Sequence, residues 1–151
     1  MNYSPILIAG GEPNSIFLEI FFKTLKFSKI KSPIILISSE NILKKQMKKF
    51  NFKKKIKLLN YKNLQNQKLD NNSINLINVE FSQKKTFEKI SNKSNKFIEE
   101  CFDTAFKILI KKKIYKFING PISKKNFLKK KYMGMTEYIS KKFFIKDSCM
   151  L

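Results

Sequence analysis

Two glycine-bearing turns hold most of the residues in this chain that have the means to do chemistry. The first is Gly10-Gly11-Glu12-Pro13-Asn14-Ser15. Its glycines permit close backbone approach, and a helix starting after it would turn N–H groups towards an anion. It is not the G-x-G-x-x-G dinucleotide fingerprint, and a Gly-Gly pair also serves as a plain turn. The second is Asn119-Gly120-Pro121-Ile122-Ser123-Lys124, followed by Gly134-Met135-Thr136-Glu137-Tyr138. Backbone N–H groups at Gly120, the Lys124 ammonium and the Thr136 hydroxyl have the chemistry of a phosphate cradle. The competing reading is that Thr136 caps its helix and Lys124 is solvated.

What is missing narrows the chemistry further. The sequence has no histidine, no tryptophan and no arginine. A Ser-His-Asp triad, a histidine general base, a His-ligated zinc site and bidentate arginine recognition of phosphate or guanine are therefore excluded within this chain. Cys101 and Cys149 stand far apart with no C-x-x-C spacing, so neither a redox motif nor a zinc ribbon is available. Cys101 falls among Phe97, Ile98, Phe102 and Ala105 and is expected to be a small buried hydrophobe.

All 32 basic residues are lysines; with 11 acidic residues they give a net charge of +21. Such a charge invites a nucleic-acid reading. Because the lysines recur along the whole chain with many Asn, Ile and Phe, they are read instead as solvated faces throughout, and no nucleic-acid partner is expected. A hydrophobic share of 42% supports a packed core. No run approaches a membrane span, and Met1-Asn2-Tyr3-Ser4-Pro5 lacks the charged and apolar regions of a signal peptide, so a cytoplasmic location is expected.

The elements that must position these turns alternate in type. Pro5 to Ala9 and Pro33 to Ile37 are short apolar runs suited to buried parallel strands. Between them Ile16, Phe17, Ile20, Phe21 and Leu25 recur at helical spacing after a cap at Asn14 or Ser15, and 41–50 is a lysine-rich amphipathic helix after Ser39. A third strand is expected at 56–59, a surface loop at 60–73, and a strand with an exposed face or edge position at 74–81. From Asn92 a wide apolar stripe predicts a helix closed by Lys111 to Lys113, whose charge suits the carbonyl end of the dipole. A strand at 115–118, a short helix capped by Ser123, a helix capped by Thr136 and a last strand from Phe144 complete the pattern. The chain stops inside an apolar run, Cys149-Met150-Leu151, which reads as truncation.

Taken in order, G-G-E-P (Gly10 to Pro13), N-G-P-I-S-K (Asn119 to Lys124), G-M-T-E-Y (Gly134 to Tyr138) and S-C-M-L (Ser148 to Leu151) resemble the 4-hydroxythreonine-4-phosphate dehydrogenase family, over the first half of its length. The resemblance implies an α/β fold of three layers, α/β/α, like that of the isocitrate and isopropylmalate dehydrogenases. Residues 1–121 would form most of a first lobe, and 122–151 the crossover into a second. It implies a homodimer that oxidises 4-phosphooxy-L-threonine with NAD or NADP and a divalent metal, in pyridoxal phosphate biosynthesis. By position, Thr136 matches the family's substrate-binding threonine, and Met135 stands where the family has a substrate-contacting histidine. Lys124 would attract phosphate, and Glu12 and Gly120 would line the cleft. Methionine neither donates a strong hydrogen bond nor changes charge near neutral pH. The metal ligands would lie outside this chain, which by itself is not expected to be active. The rival readings are a non-catalytic remnant and a basic nucleic-acid-binding module.

Overall fold

The structure, a computed structural model, describes residues 3–112, 116–129 and 131–143. Five parallel strands form one sheet: β1 (Ile6–Ala9), β2 (Ile34–Ser38), β3 (Lys55–Leu58), β4 (Ser73–Asn78) and β5 (Lys116–Asn119), in the spatial order β3-β4-β2-β1-β5. Helices α1 (Phe17–Phe27), α2 (Glu40–Lys49), α3 (Asn95–Lys112) and α4 (Met135–Lys142) are interspersed with shorter turns. Leu7, Ile35, Leu36 and Ile37 have no exposed surface, as strands covered on both faces require.

Alternation along each strand divides the core in two. Ile8, Leu36 and Leu76 pack with Leu18, Phe21 and Phe22 of α1 and Ile42, Leu43 and Met47 of α2. Leu7, Ile35, Ile37 and Ile77 face the opposite way, onto Phe97, Ile98, Cys101, Phe102 and Ala105 of α3. The result is the expected three-layer α/β/α arrangement. Phe102 is the hub of the second layer, with its ring centroid 5.7 Å from that of Tyr138, 6.1 Å from Phe127 and 6.4 Å from Phe117. The stretch expected to lead away from residue 122 contributes Leu128 and Tyr138 to this same cluster.

Several local expectations change. Strand β4 lies between β3 and β2 with Ile74, Asn75, Leu76 and Ile77 buried, so it is an inner strand and not an edge. Its partial alternation reflects Asn75, whose amide donates to the Ile34 carbonyl at 2.9 Å and so takes a polar residue into the sheet. The 60–73 segment is tied down instead of looping freely. Leu64 is buried, and Asn71 accepts from the Ile34 N–H and donates to the carbonyls of Ile30 and Ser32, each within 3.1 Å. On α1 the buried residues are Leu18, Phe21 and Phe22, while Ile16 and Ile20 are exposed. Ser39 and Ser123 act as caps, accepting from Ile42 N–H and Asn126 N–H. Thr136 does not: Gly134 is the cap position of α4, and Thr136 lies within its first turn. Glu137 accepts from the Met133 N–H at 2.6 Å, ahead of the helix, and the cap position itself makes no side-chain cap bond. The last strand expected from Phe144 lies outside the described residues.

Candidate functional site

Strand order identifies where a site would be. The chain runs from β1 to β2 on one side of β1 and later returns to place β5 on the other, so the order reverses between β1 and β5. In open α/β sheets ligands bind outside the carboxyl ends of the strands at such a reversal. The two glycine turns singled out in the sequence leave the sheet there, after Ala9 and after Asn119, whose strands pair in register.

The structure brings these turns into backbone contact. Gly120 N–H donates to the Ala9 carbonyl at 2.7 Å and Glu12 N–H to the Pro121 carbonyl at 2.8 Å. Gly11 has φ +67°, and a methyl group there would stand 2.4 Å from the Pro121 carbonyl oxygen. A methyl group on Gly120 would meet the Gly10 carbonyl oxygen at 2.3 Å. The glycines thus admit the neighbouring turn.

Glu12 has a different position from the cleft-lining one expected. Its residue is 2% exposed. One carboxylate oxygen accepts from the Asn14 N–H at 3.1 Å and its side-chain amide at 3.3 Å; the other accepts from the Ser94 hydroxyl at 2.7 Å. Ser94 immediately precedes α3, and Asn95, the first residue of that helix, donates to the Asn126 carbonyl at 2.8 Å in the turn Lys124–Leu128. Asn14 accepts from Gln83 and from the Glu88 N–H, and Gln46, with no exposed surface, donates to the Pro13 carbonyl at 2.8 Å. These interlocked polar contacts fix both turns to the start of α3. Gln46 carried a legible signal, a polar residue among Ile42, Leu43 and Met47. Gln83 and Asn95 carried none, because they act through loop geometry.

Lys124 is exposed and pairs with no carboxylate among the described residues. Met135, half-buried, packs against the α3 core cluster as the first residue of α4. Thr136, also half-buried, has its carbonyl engaged by the Ser140 hydroxyl at 2.8 Å. Among the described residues no hydrogen bond joins the side chains of Lys124, Met135 or Thr136 to Glu12 or Gly120. Helix α4 is held to α3 by Lys142, 2.9 Å from Asp103 and 3.7 Å from Glu99. The hydrogen bond to Asp103 raises the Lys142 ammonium above its ordinary range. Burial, then the charges of Asp103 and Glu99, push the Tyr138 hydroxyl up. Burial likewise pushes the Cys101 thiol up, which suits the inert core role expected of it.

A divalent metal does not fit the residues described. The sequence has no histidine, and among the described residues no three His, Cys, Asp or Glu side chains converge on one point. No helix among them is long and apolar enough to cross a membrane.

The architecture is that of a parallel α/β protein whose two glycine turns lie at the switch point of its sheet. The sequence profile of the family described as pyridoxal phosphate biosynthetic protein PdxA matches residues 29–151, well over half of the chain, and the chain belongs to that family. No curated protein matches it by sequence. Among solved structures, a 4-hydroxythreonine-4-phosphate dehydrogenase from Burkholderia phymatum is similar with a TM-score of 0.83 and 16% identity, over 96% of this chain and 45% of that one. Another from Klebsiella pneumoniae has a TM-score of 0.75 and 16% identity, over 92% of this chain and 44% of its own. The chain therefore spans less than half the length of these structures. The profile begins after the Gly10–Pro13 turn, which only the structural similarity reaches.

Proposed function

We propose that this chain is the amino-terminal part of an oxidoreductase acting on 4-phosphooxy-L-threonine in pyridoxal phosphate biosynthesis, working as a homodimer in the cytoplasm. The observation that carries this reading is the family match over residues 29–151, which takes in both N-G-P-I-S-K and G-M-T-E-Y. In this reading Thr136 and Met135 contact the substrate, and Lys124, exposed beyond the switch-point turns, attracts its phosphate. The Glu12 and Gly120 network holds the turn that carries Lys124. The dehydrogenation would require NAD or NADP, together with a divalent metal whose ligands come from another stretch of polypeptide.

A second reading is favoured by Met135 and the absence of histidine: a family member that binds the phosphorylated substrate without oxidising it. Calorimetric titration of 4-phosphooxy-L-threonine into the chain tests what the two share. Saturable binding weakened about tenfold in Thr136→Ala supports the assigned site, whereas unchanged binding in that variant overturns it. Formation of NADH or NADPH, assayed with the polypeptide that supplies the metal ligands present, then separates the enzyme from the binding protein.

A further inference from the structure

The lysines look evenly spread along the sequence, but the fold does not distribute the opposing charges evenly. All strands are parallel, so the amino edge of the sheet gathers the segments that precede strands and the last turns of the helices. Lys26, Lys29, Lys31, Lys53, Lys54 and Lys55 meet there. Among the described residues on those segments Asp70 is the sole carboxylate, and it is engaged by the N–H groups of Asn72 and Ser73 at 2.9 and 3.3 Å. Of the other described carboxylates, Glu12, Glu40, Glu80, Glu88 and Glu137 lie towards the opposite edge or on helix starts, and Asp103 lies in the middle of α3. A hollow of about 990 Å³ opens on the amino edge, where Lys26, Lys53, Lys54 and Lys55 outnumber the single carboxylate in its lining, Asp70.

Aromatic rings stand on the same edge. Phe27 is 76% exposed at the end of α1, with the Lys26 ammonium 5.3 Å from its ring centroid. Tyr3, ahead of β1, is 41% exposed, with the Lys31 ammonium 5.9 Å from its centroid. Neither ring is needed by the two core clusters. Ammonium groups that follow a phosphate backbone, together with exposed rings on which bases stack, are the components of a single-strand binding surface. With no arginine in the sequence, such a surface would have little sequence preference.

We infer that the amino edge of the sheet binds single-stranded nucleic acid through its phosphates and unstacked bases. This surface is opposite the switch-point turns and does not rest on the dehydrogenase reading. The test is fluorescence anisotropy of the full chain with a labelled oligothymidylate across a salt series. A variant with Lys26, Lys53, Lys54 and Lys55 all changed to Gln loses the same charge as one with Lys84, Lys85, Lys89 and Lys93 changed to Gln, which lie in exposed positions near the carboxyl edge. The first should weaken binding at least tenfold near 50 mM salt and reduce the salt slope by about 3, at roughly 0.7 per phosphate contact. The second should leave both nearly unchanged, and Phe27→Ala should weaken binding several-fold with the slope preserved. Equal losses in the two charge variants would overturn the proposal in favour of diffuse charge. Tighter binding to duplex than to single strand, or binding to phosphatidylserine vesicles without oligonucleotide binding, would overturn it as well.

Discussion

The two edges of one sheet are built on opposite principles. At the carboxyl edge, between β1 and β5, polar groups are turned inward: Glu12 is enclosed by Asn14 and Ser94, Gln46 holds Pro13, and two glycine turns touch backbone to backbone. At the amino edge lysines face solvent around an open hollow. Polar residues that satisfy one another under cover fix geometry, whereas unpaired charges at a surface leave it free to meet a partner. Substitutions within the buried network of the first edge should therefore be felt as stability, and those of the exposed lysines at the second as oligonucleotide binding.

The largest effect is expected at the glycines. Gly120→Ala drives a methyl group against the Gly10 carbonyl oxygen, 2.3 Å away, and Gly11→Ala adds a left-handed backbone to a similar clash. Backbone must shift in either case, so each should cost about 3 kcal/mol in urea unfolding, in the upper range of single substitutions. A loss under 1 kcal/mol would show that the turns are not locked together. Next comes Glu12→Gln. The amide retains the shape, and with its NH2 towards Ser94 that hydroxyl can accept while it donates to the Ser91 carbonyl, so what is lost is the charge on the acceptor. Neutral hydrogen bonds replace charge-assisted ones, and the loss should be about 1 kcal/mol by the same measurement.

The fold was legible where one physical signal dominated. Apolar runs of strand length bounded by turns marked β1 and β2, and the stripe from Phe97 to Phe106 marked α3, because hydrophobic burial is the main force at those positions. Strand β4 was misread as having an exposed face or an edge position because Asn75 is buried with its amide N–H groups donating to the Ile34 and Asp70 carbonyls, and alternation cannot distinguish such an amide from an exposed one. Both candidate turns were legible as glycine turns, but their direct contact was not, since that depends on β5 returning beside β1. Thr136 was misjudged as a cap for a simpler reason: the helix starts earlier, with Gly134 in the cap position two residues before it.

A smaller effect tests how α4 joins the body. Lys142 bridges α4 to Asp103 on α3, but both side chains are about a third or more exposed, so solvent screens the pair and Lys142→Met should cost no more than about 1 kcal/mol. The native contact raises the Lys142 pKa above 10.5, so its stabilisation is complete below the unfolded value and is lost as pH rises through the higher folded one. Wild type and variant should therefore differ steadily from neutral pH to about 9 and converge in stronger alkali. Unfolding curves measured across that interval would show whether the bridge persists in solution.

The smallest effect, and the one that most sharpens the contrast between the edges, belongs to the amino-edge lysines. Lys26 and Lys53 are exposed and pair with no carboxylate among the described residues, so their replacement removes no native ion pair. In a chain of net charge +21 each replacement also relieves repulsion. Lys26→Gln and Lys53→Gln should change stability by less than about 0.5 kcal/mol, and towards greater stability. Added salt should raise the melting temperature of the wild type more than that of the double variant, because screening already supplies the relief that the substitutions build in. A double variant clearly less stable than wild type would mean that these lysines support the fold, and the separation of a structural edge from a binding edge would fail.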